Sequence, residues 1–75
     1  MMNRKEFMNA LEDILMLDID TLKESDRLAD IEDWDSLAHL SLLALFNTHF
    51  QKSISAQEIR SFKTVADILA KADLQ

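Results

Sequence analysis

The sequence predicts an all-α protein, a four-helix bundle with three main helices, a short third helix and a long loop between helices one and two. Three observations predict it. Apolar residues recur at helical spacing in three stretches, from Phe7 to Leu15, from Leu42 to Phe50 and from Val65 to Ala72. Helix-capping residues stand ahead of them, Asn3, Asp35 and Thr64, and Ser55 opens a shorter stretch. The chain has 75 residues and no cysteine, so it must fold on apolar packing alone. A domain of that size hides only about 60% of its unfolded surface, which leaves no room for a deep catalytic cavity.

In the first helix, Asn3 is the cap and Glu6, three residues on, can reach back to it. Phe7, Leu11, Ile14 and Leu15 then make one buried stripe over about four turns. After Leu17 the periodicity fails over residues 18–35, where Asp and Ser compete for local backbone hydrogen bonds. Structureless connections of this length are uncommon in a compact domain, so this one should be pinned. Leu22, Leu28 and Ile31 are the expected pins, and Thr21 with Glu24 fits the start of one short helical turn.

Asp35 is a good N-cap, because its carboxylate can accept from a first-turn amide at the positive end of the helix dipole. Ser36 is then the first helical residue, and the helix runs to about Phe50. Leu42, Leu43, Phe46 and Phe50 form its expected inward face; Ser36, Leu40, Ser41, Ala44 and Thr48 fall on the other side. Leu37 and Leu40 are apolar where a surface helix is usually polar. Ser55 with Glu58 fits a capping box for the short third helix, with Ile54 and Ile59 placed as a hydrophobic staple. Thr64 with Asp67 caps the fourth, whose apolar positions are Val65, Ile68, Leu69 and Ala72. With no repeat or linker, residues 1–75 are expected to be a single domain.

Composition excludes several classes of function. Without glycine the chain cannot build a P-loop or a dinucleotide fingerprint. Without cysteine it has no disulfide, thiol nucleophile or thiolate zinc site. The net charge of −6 repels nucleic acid and anionic membrane surfaces. Between Glu12 and Asp35 ten acids face only Lys23 and Arg27, a balance of −8, while the rest of the chain has four acids and six bases, a balance of +2. One side of the molecule should therefore be a negative field. Apolar runs are short, and Met1 to Lys5 lead straight into an amphipathic pattern, so no membrane insertion is expected. The expectation is a cytoplasmic chain that starts at its own beginning.

Ser36, with His39 three residues on and Asp35 adjacent, has the residue types of a hydrolase triad. Geometry argues against it: consecutive helical side chains diverge, nothing evident orients the histidine, and there is no strand-turn-helix elbow. Asp30, Glu32, Asp33 and Asp35 form an oxygen-rich cluster, yet an EF-hand counted from Asp30 needs glycine where Asp35 stands and glutamate where Ser41 stands. His39 and His49 are ten apart, too far for one close helical pair. No helix carries a basic row suited to DNA. Exposed Leu37 and Leu40 beside the acidic loop suit a small protein-docking patch.

Asp35-Ser36-Leu37 opens the second helix, after an amphipathic helix and an acidic loop and before Ile54, Glu58-Ile59 and Thr64-Val65. This frame resembles the acyl carrier proteins over essentially the whole chain. The resemblance implies the same four-helix bundle and assigns Ser36 as an attachment point rather than a catalyst. A phosphopantetheinyl transferase would move 4′-phosphopantetheine from coenzyme A onto its hydroxyl, and the arm's thiol would carry acyl groups as thioesters for acyl-transferring or acyl-modifying enzymes. That answers the missing cysteine. Asp35 becomes cap and transferase contact; Leu37, Leu40, Ser41, Ala44, Asp30, Glu32 and Asp33 become docking residues of a monomeric, non-catalytic carrier with no metal.

Two departures stand out against that family. Where many members have a glycine shortly before the serine, this chain has Glu32-Asp33-Trp34. Their second helix usually carries acids, whereas residues 36–50 have none, and Ala38, Ser41 and Asn47 stand where acids are common. The resemblance implies a carrier in a fatty-acid or a specialised acyl or polyketide-type pathway, and the acid-free helix makes a dedicated carrier for a smaller pathway, with partners that read apolar contacts, the preferred reading. The alternatives are a carrier of aminoacyl or peptidyl groups and an unmodified docking module.

Overall fold

A computed structural model describes residues 2–74 as four helices, α1 (Arg4–Ile14), α2 (Ser36–Phe50), α3 (Ala56–Ser61) and α4 (Val65–Lys71). The all-α bundle and the long loop after α1 are as the sequence predicts. At α1 the Asn3 Oδ1 accepts from the Glu6 amide at 2.8 Å and the Glu6 carboxylate accepts from the Asn3 amide at 3.0 Å, a complete capping box. The helix has 11 residues, about three turns instead of four. It stops because Met16 turns left-handed at φ 59° and the Leu17 amide returns to the Glu12 carbonyl at 2.8 Å.

The loop is pinned twice. Leu22 and Leu28 are buried and Ile31 is half-buried, as predicted. The expected helical turn at Thr21 to Glu24 does not form. The Thr21 hydroxyl donates back to the Asp18 carbonyl at 2.6 Å, and the Thr21 and Leu22 amides are taken by Glu12 Oε2 at 2.8 and 2.9 Å. The loop's one turn of 3-10 helix lies later, at Leu28–Asp30. Glu12 is itself buried, so it belongs to the interior and not to the outer negative field.

The second pin joins the loop to the far end of the chain. Arg27 and Thr64 form an antiparallel bridge, with the Leu28 amide on the Lys63 carbonyl at 2.9 Å. The first two amides of α4, Val65 and Ala66, donate to the carbonyls of Asp26 and Glu24 at 3.1 and 3.0 Å. A helix start leaves such donors unpaired, and here the loop supplies their acceptors.

Phe7 of α1 meets Phe46 and Phe50 of α2 edge-on, with ring centroids 5.8 and 5.4 Å apart. Along α2 the buried stripe is Ala38, Leu42, Phe46 and Phe50, every fourth residue; Leu43, expected inward, is half-buried at its edge. Ile54, Ile59, Val65, Ile68, Leu69 and Ala72 close the core from α3 and α4. The Ser55 hydroxyl caps α3 by accepting from Glu58 at 3.1 Å, but the predicted box is only half made. The Glu58 carboxylate turns instead to Lys71 of α4 at 2.8 Å, an ion pair that holds its pKa below the usual value. At α4 the Asp67 carboxylate accepts from the Lys63 and Thr64 amides at 2.8 and 3.1 Å, which holds its pKa down as well. Among the described residues no helix is long and apolar enough to cross a membrane.

Candidate functional site

The backbone arrives at Ser36 through two tight turns, Trp34 onto the Ile31 carbonyl at 3.2 Å and Asp35 onto the Asp33 carbonyl at 2.9 Å. Asp35 is extended, and its Oδ1 accepts from the Ala38 amide at 3.1 Å. This is the predicted N-cap. It leaves Ser36 exposed as the first residue of α2, and the Ser36 and Leu37 amides have no acceptor among the described residues. An anion on the Ser36 hydroxyl would thus meet two free donors at the positive end of a 15-residue helix.

Around the serine the exposed face of α2 runs through Leu37 (72% exposed), Leu40 (63%) and Ala44. Ser41 is half-buried, lining a shallow groove with Ala10, Asp13 and Ile14 of α1, so it borders this face. Ala38 points into the core at 2% exposure. A carboxylate there would be buried without a partner, so Ala38 is not an open docking position that has lost its acid. Asp30 and Glu32 are exposed and Asp33 half-buried on the approach to the helix. Among the described residues no three His, Asp or Glu groups gather closely enough to hold a metal ion.

Ser36 also opens onto a groove of about 330 Å³ between α2 and α3, lined by His39, Leu40, Leu43, Ala56 and Arg60. The wall is mostly apolar, with Arg60 its one permanent charge. The His39 ring packs edge-on against Trp34, centroids 4.5 Å apart, and its Nε2 is buried with no hydrogen-bond partner. A T-shaped approach lets an imidazole N–H face the indole ring, a weak but favourable contact. Asp35 is engaged with Ala38 and His39 packs on Trp34, so the three residue types of a triad are present without the relay that links them.

Sequence spacing had not singled out Ala56 or Arg60. They reach the serine because α3 packs across α2, a tertiary fact with no local signal.

A four-helix bundle offering an exposed, helix-capped serine beside a largely apolar groove has the form of a carrier domain, in which a long covalent arm is anchored. The sequence family described as the phosphopantetheine attachment site matches residues 5–71, and the chain belongs to that family. Its members carry a covalent 4′-phosphopantetheine, are modified by a phosphopantetheinyl transferase and interact with enzymes. No curated protein and no solved structure matches the chain. The residues present fit the group: an exposed hydroxyl, two free amides for its phosphate and an adjoining groove for its arm.

Proposed function

We propose that Ser36 is the attachment residue and that the protein holds acyl intermediates on its arm and presents them to partner enzymes. The observation that carries this reading is the exposed Ser36 at the first turn of α2, held by the Asp35 cap within the matched span. The arm supplies the terminal thiol that the cysteine-free chain lacks. Asp35 orients the helix start and contacts the transferase; Leu37, Leu40 and Ala44 form the centre of the docking face, bordered by Ser41 and by Asp30, Glu32 and Asp33 on the loop. With no acid on α2, recognition rests on apolar contact more than on steering, which supports a dedicated pathway over service to many enzymes. The absence of cysteine suits a reducing compartment, which supports the cytoplasm as the place of work.

Incubation with coenzyme A and a broad-specificity phosphopantetheinyl transferase, followed by intact-mass measurement, tests the reading. One phosphopantetheinyl group should be gained by the folded protein and none by Ser36→Ala. No gain, or a gain that survives the substitution, overturns it.

A further inference from the structure

Beside the serine groove lies a second concavity, of about 600 Å³, which the carrier reading does not use. Its walls are Arg27 and Ala29 of the loop, Trp34, and Arg60, Phe62, Lys63 and Thr64 of the α3–α4 junction. Three cations thus surround one groove with no carboxylate in its lining, on a chain whose net charge is −6. The ion pairs of the described residues are Arg4–Glu24, Lys52–Asp73 and Lys71–Glu58, so Arg27, Arg60 and Lys63 are all left without one. The Arg27–Thr64 bridge fixes two walls together. Trp34 and Phe62 are half-buried, anchored on the core while bordering the groove.

We propose that this groove binds a purine nucleotide bearing phosphates, specifically the adenosine 3′,5′-bisphosphate end of coenzyme A. Planar aromatic side chains offer stacking to a base, and guanidinium and ammonium groups take phosphate oxygens. Neither feature alone defines a ligand; together they select an aromatic polyanion. The volume lies within the range of about 300–1,000 Å³ usual for small-molecule sites. Asp67 borders the groove through the Lys63 and Thr64 amides, at 2.8 and 3.1 Å, and the three lining cations stand against it. Charges farther off than about 8 Å are screened at physiological salt. Arg60 lines both this groove and the one containing Ser36, so a nucleotide held here leaves the pantetheine portion of the same molecule beside the serine. The donor would be concentrated at its acceptor before any transferase acts. The choice of coenzyme A as the ligand, and the importance of that placement, rest on the carrier reading; the match of the groove to an aromatic polyanion does not.

The unmodified full chain is titrated with coenzyme A, adenosine 3′,5′-bisphosphate, pantetheine and inorganic phosphate at matched ionic strength. Fluorescence of Trp34, the one tryptophan, and backbone amide shifts at Ala29, Phe62 and Thr64 report the groove. Saturable changes with the two nucleotides at or below ~1 mM are expected. Pantetheine should leave the groove silent, and inorganic phosphate should act only at far higher concentration. Arg27→Gln with Lys63→Gln, both exposed positions, should weaken nucleotide binding about tenfold with the fold intact, and Ser36→Ala should leave it unchanged. No saturable response to either nucleotide, or equal potency of inorganic phosphate, overturns the proposal. A mass gain in the transferase assay without nucleotide binding removes this inference alone; nucleotide binding without a mass gain removes the carrier reading alone.

Discussion

The Glu12 carboxylate holds the Leu22 amide at 2.9 Å across ten residues of sequence, and through the same oxygen it takes the Thr21 amide at 2.8 Å. A buried acid on α1 thereby fixes the bend of the loop that delivers Ser36.

Glu12→Ala should strip both amides of their acceptor at a buried position and destabilise the fold by about 2–4 kcal/mol. Glu12→Gln keeps an acceptor and should cost about 1 kcal/mol. Urea unfolding checks this; a neutral Glu12→Ala would show that Leu22, Leu28 and the contacts with α4 hold the loop without the carboxylate.

Asp35→Ala removes the α2 cap and should cost ~1 kcal/mol, while Asp35→Asn should retain most of the cap energy. If Asp35 also contacts the transferase through its charge, Asp35→Asn will be stable yet slowly modified. Equal modification rates for Asp35→Asn and the parent would confine the residue to capping.

Leu37→Ala and Leu40→Ala, at exposed positions, should leave stability within about 0.5 kcal/mol of the parent. Turnover by a partner enzyme should nonetheless fall more than it does with Glu32→Gln. The opposite order would return recognition to the acidic loop.

Met16 and Gln51 adopt φ 59° and 52°, where a side chain costs about 1–2 kcal/mol and glycine is at ease. Met16→Gly and Gln51→Gly should each stabilise by about 0.5–1 kcal/mol after the added chain entropy of glycine is set against the gain. Thermal unfolding of the two single variants measures it. In a chain without glycine, the ends of α1 and α2 are places where stability can be added without touching the serine.

Acid should weaken the fold through the α3–α4 region. The backbone amides of Lys63 and Thr64 lower the pKa of Asp67 from 3.8, the Lys71 ammonium lowers that of Glu58 from 4.5, and the Lys52 ammonium lowers that of Asp73 from 3.8. Each folded value lies below the unfolded one, so the stabilisation is complete above the ordinary carboxylate range and disappears as pH falls through and below it. Urea midpoints followed downward from pH 6 should drop below about pH 4.5, and Asp67→Asn should flatten part of the fall.

Legibility in the sequence followed the range of the interaction. The caps at Asn3 and Asp35 and the stripe through Leu42, Phe46 and Phe50 are local, so spacing alone locates them. Glu12 looked like one more acid of a solvated run, because nothing local says that amides ten residues on will bury it. Glu58 satisfied a capping rule and still left for Lys71, a partner brought close only by packing. The candidate site divides the same way: the helix pattern places Ser36, Leu37 and Leu40 at an exposed helix start and the family resemblance singles out Ser36 among them, whereas the approach of Ala56 and Arg60 is set by how α3 crosses α2.

The hydrogen bonds from Val65 and Ala66 to Asp26 and Glu24 make the approach to Ser36 the property of two distant stretches of chain. During synthesis, a chain emerged only through α2 has the serine but lacks the segment that clasps its approach. The loop reaches its final path only when α4 docks, so the fourth of these helices is the one that completes the presentation of the serine. An early frameshift or proteolytic loss beyond Thr64 would leave Ser36 in place but its approach unheld, a consequence for quality control and not for chemistry.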